Sequence, residues 1–388
     1  MTSGDRATVV AHNGAAIFGG AERWTVRLLG RLQERGHRVV LLCRDEAIRE
    51  RVAEHGVPAE VAHLGGHASL HDAGAFALRL RRLRPDGLLL STFKKTWLGG
   101  LGARLGGVPR VVARIGLSTD LPGRRAVYRL AFGRWIDRVV VNADGLRGPV
   151  LAGIPDAPAQ KVVTIYNGYE PAAPVLEPGA LRRELGLGPD AHLVGTVARL
   201  AGQKRLDRFL RVLSRLPATV HGVVAGEGPE REALGALARE LGLGERLRLL
   251  GHREDVGDVL AALDLFLVTS GKEGMSNAML EALGAGVPVV STPVSGAAEA
   301  LDPLEDGRRP GVIVEADEEA LAAEVARLLV TPEERASMAG AARQRARTRF
   351  RWEDKVARWE TLLTRDVGAD VHEGPSPLDD PVTRGSDT

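Results

Sequence analysis

The chain is 388 residues long, 44% hydrophobic and 26% charged, an ordinary globular composition whose length favours two domains. A single cysteine, Cys43, excludes an intrachain disulfide and fits a reducing compartment. The net charge is only +2, no apolar run approaches the roughly 18 residues of a membrane span, and the start "MTSGDRATVV" lacks the pattern of a signal peptide.

The charge is unevenly placed. Residues 1–170 carry 25 Lys and Arg against 15 Asp and Glu, and residues 171–388 carry 27 against 35. A basic first half suits phosphates or an anionic membrane surface, and a solvated Arg-rich surface explains it equally well. The basic residues form no recognised nucleic-acid motif, so no nucleic-acid partner is expected.

Short apolar runs bounded by turn residues predict buried parallel strands. In chain order they are 7–12, 37–43, 87–91, 110–115, 138–143 and 161–166, then 192–198, 219–225, 246–251, 264–270, 287–292 and 311–315. Helical patterns alternate with them. "GGAERWTVRLLGRLQERGH" puts Trp24, Leu28, Leu29 and Leu32 on one side, and Gly36 stands where a left-handed cap ends a helix. "PEREALGALARELGLG" repeats the pattern in the second half. Such alternation predicts two α/β units, each a doubly wound parallel sheet, whose ligands bind at the carboxyl ends of the strands. The join is expected in "NGYEPAAPVLEPGALRRELGLGPD" (167–190), which holds four prolines. Residues 366–388, with three prolines, five aspartates and no aromatics, read as a disordered tail.

Chemistry is therefore sought in the loops that follow strands. In "GTVARLAGQKRLD" the cations Arg199 and Lys204 lie in a loop that opens a helix. Two cations and a helix N-terminus suit a diphosphate. In "VVAGEGPER" the residues Gly226, Glu227 and Gly228 let a ligand approach the backbone, or simply make a tight turn. In "KEGMSNAMLEALGAGVPVV" (272–290) Glu273 precedes a helix that Ser276 or Asn277 caps, and Glu281 is expected about two turns inside it. The N–H groups of Gly274, Met275 and Ser276 are expected to face an anion or sugar hydroxyls. A carboxylate accepts two hydrogen bonds from a vicinal diol, and a nucleotide-sugar carries one diol on each side of a diphosphate. Each glutamate read alone is equally a solvated or ion-paired residue.

The ordered series "GTVARLAGQKRLD", "VVAGEGPER", "LLGHREDV", "LFLVTSGKEGMSNAMLEALGAGVPVVSTPVSGAAE" and "FRWEDKVARW" resembles the family 4 (group 1) glycosyltransferases, which are retaining enzymes. "GGAERWTVRLLGRLQERGHRVVLLC" and "IYNGYE" resemble that family's first glycine loop and inter-domain hinge, so the likeness spans about residues 7–363. The resemblance implies the GT-B fold: two Rossmann-like doubly wound parallel-sheet domains facing a central cleft. It implies an acceptor domain over 1–170 joined by a returning helix over 347–365, and a donor domain over 171–346. It implies that Arg199 and Lys204 bind the donor diphosphate, that Glu281 holds the ribose, and that Glu273 with the following amides holds the sugar. Gly226, Glu227, Gly228, His252 and Arg253 would surround the nucleoside, and Gly19 and Gly20 would meet the phosphates. The sequence departs from the family in one place that matters. Many members carry a histidine after the fourth strand of the first domain, where this chain reads "VVARIGLSTD" with Arg114 and Ser118. Either of these substitutes, or the acceptor geometry or activity differs. In the hinge, Glu170 stands in place of the more usual Asp.

On the acceptor side, His12 is a polar strand end, and Lys94 and Lys95 in "FKKTW" can meet a phosphate. "RRAVYRLAFGRWIDR" (124–138) places Tyr128, Phe132 and Trp135 among arginines, which suits either an anionic membrane surface or the first core. No Asp-x-Asp occurs, so neither metal nor other cofactor is expected, the nucleotide-diphosphate sugar being a co-substrate. The acceptor is expected to be a glycan or a lipid-linked molecule. The protein is expected in the cytoplasm or at the inner face of the plasma membrane, in polysaccharide or lipopolysaccharide synthesis. A nucleotide-sugar epimerase and a non-catalytic nucleotide-sugar binder are the alternatives.

Overall fold

A computed structural model of the chain describes residues 6–15, 18–62, 64, 70–92, 96–117, 126–154, 157–170, 177, 179–365 and 373. The chain divides into two compact units, Met1–Tyr166 with Glu353–Thr388, and Asn167–Trp352. The first crossing thus falls before the "NGYE" segment.

The first unit is built on strands β1 (Thr8–Asn13), β2 (Arg38–Cys43), β3 (Ala59–Val61), β4 (Gly87–Leu90), β5 (Arg110–Ile115), β6 (Arg138–Val141) and β7 (Val162–Thr164). They form one sheet in the order β3-β2-β1-β4-β5-β6-β7, with every pairing parallel. Both faces are covered, as a parallel sheet requires. Val10, Leu42, Leu88, Val111 and Val139 point into a core with Phe76, Leu80, Phe132 and Ile136, while the alternate residues Val9, Val39, Leu41 and Val112 are buried as well. Strand β3 is the one that sequence periodicity misses. Its three residues, Ala-Glu-Val, sit half-buried at the sheet edge and carry no apolar run.

Helix Gly20–Glu34 buries Trp24, Leu28, Leu29 and Leu32, and Gly36 follows it at φ 93°, both as expected. The last helix, Trp352–Thr364, returns to this unit. Its Trp359 meets Trp24 edge-on at 5.2 Å, and its Glu360 accepts from Arg35 at 2.5 Å and lies 2.7 Å from the His37 ring. Gly87 is required under it, because a Cβ there would stand 2.1 Å from the Leu363 carbonyl oxygen. The basic aromatic segment turns its rings inward: Tyr128 and Phe132 are buried and Trp135 packs against the same core. Its helix Ala126–Leu130 continues as a π turn over Ala131–Trp135, closed by the Ile136 N–H on the Ala131 carbonyl at 3.0 Å. Of the two readings of that segment, the core accounts for its rings.

The second unit holds β8 (His192–Val197), β9 (Val220–Ala225), β10 (Leu247–Gly251), β11 (Leu265–Val268), β12 (Val289–Ser291) and β13 (Gly311–Ile313). They pair in the order β10-β9-β8-β11-β12-β13, again all parallel. Val194, Val224, Leu265, Leu267 and Val290 pack against Phe209, Leu213, Leu321, Val325 and Leu328 of the covering helices. The entering and leaving segments lie side by side here. The Tyr169 N–H donates to the Phe350 carbonyl at 2.6 Å, and Tyr169 bridges Arg351 in parallel. Gly168 must be glycine, since a Cβ would come within 1.9 Å of the Trp352 ring. Gly284 makes the same room for the Tyr169 ring, 1.8 Å from where its Cβ would stand. Among the described residues no helix is long and apolar enough to cross a membrane.

In both sheets the chain reverses its winding between the first and fourth strands, at β1/β4 and at β8/β11. A doubly wound sheet opens a crevice at the carboxyl ends of those two strands. The loops after β8 and β11 are the ones that carry Arg199, Lys204 and Glu273.

Candidate active site

At the β8/β11 crevice the structure brings two of the expected residues together. The Lys204 ammonium pairs with Glu273 Oε1, and Ser270 Oγ–H donates to Glu273 Oε2 at 2.8 Å. Both charged side chains are mostly buried, at 17% and 12% exposure. The two loops are stapled by backbone-directed bonds. Thr269 Oγ1 donates to the Lys204 carbonyl at 3.1 Å, the Gly271 N–H to the Gln203 carbonyl at 2.9 Å, and Thr292 Oγ1 to the Ser270 carbonyl at 2.8 Å. Buried Arg208 holds the Thr269 carbonyl at 3.0 Å. A shallow recess of about 10 Å³ opens here, lined among others by Thr196, Lys204, Ser270, Glu273 and Ser276. Arg199 is exposed and makes no ion pair among the described residues. Among the described residues the two loops thus present one compensated cation, Lys204, and two exposed cations without an ion pair, Arg199 and Lys272. Ser270→Ala removes a charge-assisted bond from a largely buried carboxylate, and a loss of about 1.5–3 kcal/mol is expected in thermal or urea unfolding.

The helix after Glu273 starts directly after Ser276, one of the two caps expected. It runs Asn277–Ala285 with Ser276 as its cap, Ser276 Oγ accepting from the Met279 N–H at 3.4 Å. The open N–H groups of its first turn therefore belong to Asn277 and Ala278, not to Gly274, Met275 and Ser276. Glu281 lies little more than one turn inside, not two. Gly274 and Glu273 use their carbonyls to accept from Gly296 and Ser295 at 3.1 and 3.2 Å. Met275 is buried, and its carbonyl accepts from the Asn167 amide at 2.8 Å. The same amide reaches Asn277 Oδ1 at 2.8 Å. Met275 and Asn277 thus anchor the "NGYE" segment to the helix start. Glu281 is half-buried, close enough to Tyr169 to help raise its phenol pKa, although burial is the larger cause.

Gly226 and Gly228 serve backbone packing. Gly226 has φ 142° and a Cβ there would lie 2.0 Å from the Ala198 carbonyl oxygen; at Gly228 the Leu200 carbonyl oxygen would be 2.2 Å away. Of the two readings of this turn, close packing on the β8 loop accounts for both glycines. Glu227 is exposed and 3.6 Å from Arg231. His252 is exposed after β10. Arg253 is held by both oxygens of Asp255, at 2.8 and 2.7 Å, which lowers the Asp255 pKa. Its charge is therefore already compensated.

In the first unit, Gly19 precedes helix Gly20–Glu34, and its N–H donates to Glu22 Oε2 at 2.9 Å. The Asn13 amide donates to Glu22 Oε1 at 3.1 Å. His12 is buried, with its ring edge-on to Phe76 at 5.5 Å. Arg114 is buried over the Trp24 ring at 3.9 Å; burial pushes its guanidinium pKa down to about 10, opposed by the Glu22 carboxylate. Lys94, Lys95 and Ser118 lie outside the described residues. Among the described residues no group of three or more His, Cys, Asp or Glu is placed to hold a metal ion. Sequence reasoning missed Ser270, Thr269, Thr292, Asn167 and Glu22. Ser270 carried a usable signal, a small hydroxyl residue in the turn after a switch-point strand.

Comparison with known proteins bears on the family and the fold. Residues 179–345 match the family "Glycosyl transferases group 1", and residues 18–173 match "Glycosyltransferase Family 4". The chain is 28% identical over 283 residues to the lipopolysaccharide core biosynthesis glycosyltransferase LpsE of Rhizobium meliloti (strain 1021), covering 71% of this chain and 76% of LpsE. It is 26% identical over 326 residues to a GDP-mannose-dependent alpha-mannosyltransferase of Mycobacterium tuberculosis (strain CDC 1551 / Oshkosh), covering 78% of this chain and 83% of that protein. The crystal structure of Anabaena HepE with UDP and glucose superposes with a TM-score of 0.78 at 22% identity, over 92% of this chain and 99% of HepE. At that identity the likeness speaks for the fold, which is GT-B. These relatives favour group transfer over epimerisation.

Proposed function

The chain belongs to the family 4 (group 1) glycosyltransferases, and on that premise we propose that it moves a hexosyl group from a nucleotide-diphosphate sugar to a glycan or lipid-linked acceptor, with retention of configuration and without a metal. The observation that carries the reading is the Lys204–Glu273 pair at the β8/β11 crevice, beside exposed Arg199 and the start of helix Asn277–Ala285. An ammonium, a guanidinium and two open N–H groups suit a diphosphate. Glu273, oriented by Ser270, accepts from sugar hydroxyls, and Glu281 accepts from the ribose diol.

The reaction then follows from charge. The bond between the anomeric carbon and the phosphate oxygen breaks, with its electron pair leaving on phosphate. Arg199 and Lys204 stabilise that developing charge. The acceptor oxygen forms the new bond on the same face, and its proton passes to the departing phosphate oxygen. Glu273 is a holding group in this scheme and forms no covalent intermediate. The relatives named for lipopolysaccharide core synthesis and mannosyl transfer support a role in cell-surface polysaccharide or lipopolysaccharide synthesis. The cytoplasm, or the inner face of the plasma membrane, is the proposed location.

A thermal-shift screen with UDP-, GDP- and ADP-sugars tests the donor site. One nucleotide class should raise the melting temperature by about 5–10 °C at roughly 100-fold excess over Kd. Glu281→Ala should lose most of that shift. Equal shifts in the two proteins would remove Glu281 from the site. Nucleotide release that needs an added acceptor identifies transfer, whereas donor binding without turnover under any acceptor would leave a binding protein.

A further inference from the structure

Glu373 lies inside the stretch expected to be a disordered tail, yet it is seated in the first unit. Its carboxylate is 5% exposed. Oε1 accepts from Lys355 Nζ at 2.6 Å and from Arg358 Nε at 2.9 Å. Oε2 accepts from the Tyr166 N–H at 2.8 Å, and the Glu373 N–H donates to the Thr164 carbonyl at 3.0 Å. Lys355 is itself buried, 4% exposed, and stands 5.6 Å from the Tyr166 ring centroid. Tyr166 Oη in turn donates to Asp144 at 2.5 Å. A lysine buried this deeply needs an anion, because an unpaired charge out of water is costly, and the partly exposed Arg358 beside it adds positive charge at the same place.

Tyr166 is the last residue of the first unit before the chain leaves it, and Glu353 is the residue at which the chain re-enters. Lys355 and Arg358 lie on the first turns after re-entry. One carboxylate therefore ties the departing strand end to the returning helix.

We propose that Lys355, Arg358 and the Tyr166 N–H form a carboxylate socket that the chain fills with its own Glu373, clasping the two points where it leaves and re-enters the first unit. The function of the residues after the returning helix is, on this account, to supply that ligand. The socket lies outside the donor site, and the proposal does not depend on the transfer reaction.

The test uses the full chain with Glu373→Gln, Glu373→Ala and Lys355→Met. Breaking a buried pair should lower the melting temperature of each variant by at least about 5 °C. Hydrogen exchange at the Tyr166 amide should quicken by about tenfold or more in Glu373→Ala, and by more than at the Val163 amide inside β7, which reports only the global loss. Acetate should return part of the lost stability to Glu373→Ala and none to Lys355→Met. The double variant Lys355→Met/Glu373→Gln should lose less than the sum of the two single losses, as residues sharing one contact do. Unchanged melting and unchanged Tyr166 exchange in Glu373→Ala would overturn the proposal. So would strictly additive losses in the double variant, because they would place the two residues in separate contacts.

Discussion

Lys204→Ala is expected to cut sugar transfer by about 10²–10³-fold, the usual cost of removing one preorganised donor from a developing anion. Lys204 and Glu273 are both largely out of water, so their mutual attraction is screened far less than that of a surface pair. The Ser270 hydroxyl holds the second carboxylate oxygen, and the Thr269 hydroxyl holds the Lys204 carbonyl. The ammonium is therefore fixed before any ligand arrives, which is what lets it stabilise charge without reorganisation. The variant also strands Glu273, and a stability loss of about 1–3 kcal/mol is expected, below that of a fully buried pair. Two measurements separate the effects: kcat/KM with a saturating acceptor, and the melting temperature without ligand. Lys204→Arg should recover stability more than rate, because a guanidinium fork does not place its charge where a compact ammonium does. Transfer within about threefold of the parent chain would place the diphosphate elsewhere.

Much of this site was legible in the chain because its signals are local. A buried parallel strand shows itself as a continuous apolar run, and a switch-point loop follows immediately after. That is how Arg199, Lys204 and Glu273 could be singled out. The pairing of Lys204 with Glu273 was not legible, since it joins residues 69 positions apart with three strands between them. The Ser276 cap of the helix after Glu273 is legible as a small hydroxyl residue before a helical run, whereas the tertiary bonds that hold Gly274 and Met275 ahead of that helix, from Gly296 and Asn167, are not. Strand β3 escaped for the opposite reason, having too little apolar surface to leave a pattern. Glu373 escaped because composition describes an average, and a Pro- and Asp-rich stretch can still contain one residue with a buried partner. Arg114 was singled out as a stand-in for an absent histidine. Its burial over Trp24 shows what a side chain at that place must accept: an aromatic face and the field of Glu22.

Gly226→Ala should cost about 4 kcal/mol or more and lower the melting temperature by roughly 10 °C. Two penalties combine. At φ 142° an L side chain is strained, and its Cβ would press to 2.0 Å from the Ala198 carbonyl oxygen. Neither partner can yield easily. The Gly226 N–H is committed to the Gly251 carbonyl at 2.7 Å, and the Ala198 N–H to the Ala225 carbonyl at 3.0 Å. Gly228 repeats the contact two residues on, against the Leu200 carbonyl, while the Leu200 N–H donates to the Glu227 carbonyl at 2.9 Å. Ala198 and Leu200 flank Arg199. The glycine turn after β9 therefore grips the backbone on both sides of that exposed cation. Gly228→Ala, without the strained φ, should lose stability by the clash alone and so by less. Gly235→Ala is the contrast, because a Cβ at that helical position meets nothing closer than the Arg239 tip at 3.8 Å, and a gain of about 0.5–1 kcal/mol is expected. If the glycines act through Arg199, donor affinity should fall together with stability in both loop variants. A Gly226→Ala protein that melts like the parent yet no longer binds donor would return these glycines to the ligand and release Arg199 from their grip.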